Sequence, residues 1–120
     1  MMNAAQLQTE LRLFTGTEYY FYHPMFPKFH YTEGVRFLAQ EAQAYWLIEK
    51  ILSLQTLSCL KSHDRQFWKL SVDDKQAARL VCEDGDSVEL YSEDIHYTDF
   101  PLPEIGLFFM GQVLLLPSEY

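Results

Sequence analysis

The spacing of apolar residues changes near residue 62 from helical to alternating, and this change constrains the fold more than any other feature of the chain. In residues 33–55, apolar side chains recur at helical spacing and cover most of the circumference. Further along, Trp68, Leu70 and Val72 alternate with polar residues, as in a half-buried strand. Helices followed by a run of strands are typical of an α+β fold.

Two helices are predicted in the first half. Leu7, Leu11 and Phe14 lie at helical spacing, and Gly16 stands where a left-handed residue would end that first helix. Thr32 is a suitable N-cap for a long second helix from Glu33 to about Gln55. Because this second helix is apolar around most of its girth, we expect it to be central, with the sheet on one side and the first helix or a loop on the other.

The segment 19–31 is aromatic and contains Pro24 and Pro27, which exclude a helix. We therefore expect an ordered loop there, with a short strand at its start. In the second half, turns are predicted at Asp73–Lys75 and at Asp84-Gly85, and Gly111-Gln112 joins two apolar segments that form either a final hairpin or one bulged strand. These predictions combine into one domain, residues 1–120, with two N-terminal helices packed on one face of a four- to five-stranded antiparallel sheet.

The charge balance excludes several classes of partner. The chain carries nine Lys and Arg residues against 17 Asp and Glu, for a net charge of −8, and no two basic residues are adjacent. A basic patch is what nucleic acids and anionic membranes require, so neither is expected as a partner. The sequence offers no signal peptide and no apolar stretch of about 20 residues. Together with the widely separated Cys59 and Cys82, this predicts a cytoplasmic protein with reduced thiols.

Six short sequences occur in order along nearly the whole chain. They are FTGTE at 14–18 followed by Tyr22-His23, YTEG at 31–34, AYWL at 44–47, FWKL at 67–70, YTDFPL at 97–102 and LLPSEY at 115–120. In these landmarks the chain resembles a family of small bacterial and phage-associated proteins classed as a domain of unknown function. The resemblance implies an intact domain that extends to Tyr120 and a phage or mobile-element context. It implies no catalytic residue.

The aromatic segment is the first candidate for function. Tyrosines offer a large, rigid contact area with a polar tip, which interfaces favour. This predicts a non-catalytic protein-interaction module, either monomeric or homodimeric, that binds a protein partner. Its predicted contact residues are Tyr19, Tyr20, Tyr22, His23, Phe26 and Tyr31. The alternative interpretation is that these rings fold over the long helix as part of the core.

A second hypothesis is a small-molecule or metal-binding domain, conceivably a hydrolase, with a pocket between the aromatic segment and the second helix. Its residues would be Thr17, Glu18, His23, His30 and Glu41. Glu41 and Glu49 share the apolar arc of the predicted helix about 12 Å apart, so at most one could act as a general acid or base. The sequence contains no spacing of a known metal site, nucleophile or phosphate loop, so we assign no catalytic residue, metal or cofactor. An enzymatic activity has no support in the sequence.

Overall fold

The computed structural model describes residues 3–120, which form an α+β fold in which two strands lie between the first and second helices, where the sequence predicted helices followed by strands. The helices are α1 (Ala4–Leu11), α2 (Glu33–Glu41), α3 (Tyr45–Ser53) and α4 (Ser58–Lys61), with 3₁₀ turns at Leu54–Thr56 and Pro117–Glu119. The strands are β1 (Tyr20–His23), β2 (Phe26–Thr32), β3 (Arg65–Val72), β4 (Ala78–Glu83), β5 (Glu89–Ile95), β6 (Glu104–Met110) and β7 (Val113–Leu115).

The seven strands form one sheet in the order β1-β2-β7-β6-β3-β4-β5. Every neighbouring pair is antiparallel except β2 and β7, which run parallel. The predicted antiparallel sheet of four or five strands is therefore wrong in strand number and in direction. The missing strands came from the aromatic segment, and the parallel pair joins residues more than 80 positions apart, as in the register His30↔Val113. Local pattern carries no information about such a pairing.

The helices cover one face of the sheet. Along β3, Gln66, Trp68 and Leu70 are buried, while Arg65 and Lys69 on the opposite face are exposed. The buried strand residues belong to the same apolar cluster as the buried residues of α1 to α4. The other face of the sheet carries half-buried apolar side chains such as Phe67 and Phe108, because successive side chains of a strand point to opposite faces.

A buried polar network ties the segment after α3 to the central strand β3. The Gln66 side-chain amide donates to Gln55 Oε1 at 2.7 Å, and the Gln55 side-chain amide donates to Gln66 Oε1 at 2.9 Å. Trp68 Nε1 also donates to Gln66 Oε1 at 3.0 Å. Because every polar atom of the pair has a partner, the network is tolerated in the core and fixes how the 3₁₀ turn sits against the sheet.

The long second helix predicted from Glu33 to Gln55 is in fact two helices. Helix α2 ends at Glu41, and Gln43 adopts a left-handed conformation with φ 51°. The Ala44 amide then donates to the Ala39 carbonyl at 2.9 Å, which completes a Schellman stop. Glycine or asparagine usually signals such a stop, so a glutamine there gave no warning. Glu41 and Glu49 thus lie on different helices, and the shared arc predicted for them does not exist.

The aromatic segment is a β-hairpin: the short strand predicted at its start is β1, whereas the loop predicted after it is the second strand, β2. Pro24 lies in the turn between β1 and β2, where its missing amide costs nothing. Pro27 lies within a stretch of β2 where the pairing shifts between Phe21↔Tyr31 and His23↔Phe26. A proline is tolerated at such an irregularity because no ladder hydrogen bond is lost.

Several local predictions are confirmed and one is wrong. Thr32 caps α2, since its Oγ1 accepts a hydrogen bond from the Val35 amide at 3.3 Å. The turns at Asp84-Gly85 and Gly111-Gln112 join β4 to β5 and β6 to β7. Gly16 ends no helix: α1 stops at Leu11, and Gly16 has no left-handed φ. Between residues 3 and 120, no helix has the length and apolar character needed to cross a membrane.

Candidate functional site

The β1–β2 hairpin exposes a row of aromatic side chains at one edge of the sheet. Tyr20 and Tyr22 alternate with half-buried Phe21 and His23 along β1, and their exposed fractions are 56% and 57%. Tyr19, just before the strand, is 64% exposed. Alternation explains the pattern, because successive side chains of a strand point to opposite faces. The exposed tyrosines are therefore available to a partner.

Three other predicted contact residues contribute to the packing of the hairpin. Tyr31 is buried and stacks against Phe21 with ring centroids 5.9 Å apart. Burial raises the pKa of the Tyr31 phenol, the nearby Tyr45 raises it further, and Arg36 lowers it in part. Phe26 is half-buried and packs on the His23 ring at 5.5 Å. The alternative interpretation, that rings of this segment join the core, is thus correct for Tyr31 and in part for Phe26.

His23 is held by two hydrogen bonds. Its Nδ1 accepts from the Met25 amide at 3.1 Å, and its Nε2 lies 3.2 Å from Glu49 Oε1 on α3. Because Nδ1 is an acceptor, the ring proton resides on Nε2 and is donated to the carboxylate. His23 therefore fixes the hairpin turn and links it to α3.

The residues of the second hypothesis do not converge. His30 packs edge-on against the exposed Tyr22, with ring centroids 6.5 Å apart. His23 follows Tyr22 on β1 and therefore points to the opposite face of the strand, toward α3. Glu18 is exposed, and Glu41 is half-buried at the end of α2. No three His, Cys, Asp or Glu side chains in the described part of the chain are grouped so as to hold a metal ion.

The N-terminus of α2 receives hydrogen-bond acceptors from three separate segments. Thr17 Oγ1 accepts from the Glu33 amide at 3.2 Å, Thr32 Oγ1 from the Val35 amide at 3.3 Å, and Glu119 Oε2 from the Gly34 amide at 3.3 Å. These amides have no partner within the helix itself. A carboxylate at this end is also favoured by the helix dipole. Thr17, predicted as a ligand residue, is therefore a structural cap.

Glu119 is a residue that the sequence analysis missed. Its Oε1 accepts from Thr32 Oγ1 at 2.6 Å and from the Leu116 amide at 2.9 Å. A Cβ atom on Gly34 would lie 2.6 Å from Leu116 Cδ1 and 2.7 Å from Glu119 Oε1, so only glycine leaves room for this contact. The landmarks at 31–34 and 115–120 are thus the two halves of one packing contact. No local signal could pair residues 85 positions apart.

The two edges of the sheet differ in charge. β1 consists of Tyr20–His23 and contains no carboxylate, lysine or arginine, whereas β5 carries Glu89, Glu93 and Asp94. Glu93 accepts hydrogen bonds from Lys50 Nζ at 3.0 Å and from the Tyr91 hydroxyl at 2.8 Å. Burial raises the pKa of Glu93, but these two hydrogen bonds and the lysine charge lower it overall. Burial and the bond to Glu93 raise the pKa of Tyr91 to about 12.

Comparison with known proteins bears on the fold and on the family. No curated protein matches the chain. A crystal structure of a protein of unknown function from Enterococcus faecalis is similar, with a TM-score of 0.50 and 23% sequence identity over 75% of this chain and 87% of that one. At this identity the likeness concerns the fold alone. The family model of DUF6876, a family of unknown function, matches residues 5–120. The chain therefore belongs to the DUF6876 family.

Proposed function

We propose that this protein is a non-catalytic protein-interaction module that binds an extended segment of a partner protein along the free edge of β1. The observation that carries the proposal is that β1 is a terminal strand of the sheet, has no carboxylate, lysine or arginine, and exposes Tyr20 and Tyr22, with Tyr19 exposed just before it. An uncovered edge strand presents unpaired backbone amides and carbonyls, and an extended peptide can pair with them as an added strand.

The opposite edge supports the choice of β1. Natural sheets protect exposed edges with charged side chains, and β5 has three carboxylates in seven residues. β1 lacks this protection, although its aromatic side chains make it the more prone to association. A functional partner at β1 explains why one edge is guarded and the other is not.

The charges around β1 indicate the chemistry of the partner. Glu18 precedes the strand, Glu49 contacts His23, and Glu33 lies with Tyr19 and Phe21 around a shallow cavity. The nearby cation, Arg36, is engaged over the Phe21 ring at 4.4 Å. An extended segment with basic residues beside an apolar or aromatic one would complement this surface, in keeping with the net charge of −8.

The test combines site-specific crosslinking with a matched pair of variants. A photoreactive phenylalanine at position 20 should capture a partner in cells, and the captured segment can then be synthesised as a peptide. Tyr20→Ala with Tyr22→Ala should abolish binding of that peptide while the circular dichroism spectrum and the Tm stay unchanged. Tyr97→Ala is the control, because Tyr97 is 70% exposed but lies between β5 and β6.

The proposal is refuted if position 97 crosslinks the same partner as efficiently as position 20, or if the double variant binds the peptide with unchanged affinity. A cytoplasmic location, a single-domain organisation and a phage or mobile-element context stay predictions from the sequence.

A further inference from the structure

A partly enclosed cavity of about 350 Å³ lies at the end of the hairpin remote from Tyr20. Several segments of the chain contribute to its wall, among them β2 with Lys28 and Phe29, the region around α4 with Lys61 and Asp64, and β6 with Phe109. Cavities that bind small molecules begin at about this size and combine an apolar wall with a few polar groups.

The cavity gathers positive charge in an acidic protein. The chain has only nine Lys and Arg residues, and Lys50, Lys69 and Arg79 are each in an ion pair. Within residues 3–120, neither Lys28 nor Lys61 lies within 4.0 Å of a carboxylate, although both line this cavity. One carboxylate, that of Asp64, also lines the cavity. Two unneutralised amines at one site favour an anion.

The apolar side of the cavity is aromatic and firmly held. Phe29 and Phe109 meet edge to face with ring centroids 5.6 Å apart. Gln55 and Thr56 from the 3₁₀ turn also line the cavity, as do His63 and Gln112, and Gln55 is fixed by its paired hydrogen bonds to Gln66. A ring bound here would stack on or pack against two phenylalanines whose positions need no rearrangement.

We propose that this cavity binds a small organic anion, an aromatic body that carries one phosphate or carboxylate group. The anionic group contacts the amines of Lys28 and Lys61, and the aromatic body packs against Phe29 and Phe109. The site is independent of the proposed partner surface, because neither exposed tyrosine of β1 lines it.

The experiment is a ¹H–¹⁵N NMR titration of the full chain with phenyl phosphate, benzoate and, as a neutral analogue, benzyl alcohol. Phenyl phosphate or benzoate should shift the amide resonances of cavity residues, and the tighter of the two identifies the anionic group. Lys28→Gln with Lys61→Gln should raise Kd at least about tenfold, because charge-assisted hydrogen bonds are the strong ones. Lys75→Gln, a change at an exposed turn lysine outside the cavity, should leave Kd unchanged.

Three results would overturn the proposal. These are cavity resonances that do not move at millimolar concentration of either anion, benzyl alcohol binding as tightly as the anions, and the double lysine variant binding with the affinity of the parent. The Tyr20→Ala, Tyr22→Ala variant should bind the anion normally, so failure here and failure of the partner proposal are separately visible.

Discussion

The contact between Gly34 and the C-terminal segment makes the sharpest prediction. Gly34→Ala would place a Cβ 2.6 Å from Leu116 Cδ1 and 2.7 Å from Glu119 Oε1. Leu116 is buried and cannot move freely, and the Glu119 carboxylate is held by Thr32 and the Leu116 amide. The added methyl group must therefore displace the side chains of Leu116 and Glu119, which hold the C-terminal segment against the N-terminus of α2.

Opposing effects decide the magnitude. Alanine in a helix is favoured over glycine by about 1 kcal/mol. Overpacking of a tight site costs about 1–3 kcal/mol. Loss of the hydrogen bond from the Gly34 amide to the Glu119 carboxylate costs a further 1.5–3 kcal/mol or so. The clash and the lost bond prevail, so we expect a loss of about 2–4 kcal/mol and a fall in Tm of roughly 10 °C.

The assay is urea denaturation followed by circular dichroism, with Gly16→Ala as the matched control. A Cβ on Gly16 would meet no atom within 4 Å, so the same substitution there should be neutral or slightly stabilising. A double-mutant cycle identifies the partner, because Glu119→Ala should cost much less beside Gly34→Ala than in the parent. The reasoning fails if Gly34→Ala is as stable as the parent, or if the two substitutions are additive.

Three further predictions concern the core and the titratable groups. The exposed Cys59 should react with Ellman's reagent in the native protein. Cys82 should react only on unfolding, because burial raises the pKa of its thiol to about 12, and rapid reaction of both cysteines in the native protein would contradict this. Gln66→Met should lower the free energy of unfolding by about 2–4 kcal/mol, because it leaves Trp68 Nε1 without an acceptor and Gln55 Oε1 without a donor. The exposed Gln40→Met is its control in the same denaturation assay. The backbone amides of Val88 and Asp86 donate to the Asp84 carboxylate and lower its pKa in the folded state. Asp84 therefore stabilises the fold at pH values above its unfolded pKa of about 3.9, and this stabilisation is lost as the pH falls through the lower folded pKa. Asp84→Asn should flatten this part of the stability curve measured against pH.

Much of the fold depends on interactions between residues close together in the chain and could be predicted from the sequence. Thr32 was identifiable as a cap because its partner is the Val35 amide, three residues away. The hairpin at Asp84-Gly85 follows from an aspartate that accepts hydrogen bonds within its own turn, from the Asp86 and Val88 amides. The alternation of β3 follows from the burial of one sheet face.

The candidate sites were only in part predictable. The sequence singled out Tyr20 and Tyr22 as aromatic residues but could not distinguish them from the buried Tyr31, because exposure depends on which face of β1 and β2 meets the helices. Lys28 and Lys61 gave no signal, since they stand 33 positions apart in unrelated surroundings. Only the tertiary structure brings their side chains to one cavity.

The sequence by itself determined the caps and turns whose hydrogen bonds join residues three or four positions apart. It also determined which face of an alternating strand is apolar and is therefore buried. The tertiary structure decided the rest: the left-handed break at Gln43, the parallel pairing of β2 with β7, and the cap that Glu119 provides to α2. The last two depend on contacts between segments far apart in the chain. A glutamine at positive φ is locally unfavourable, and a carboxylate has no local reason to face Gly34. The carboxylate takes this position only once the sheet has brought the C-terminal segment beside the start of α2.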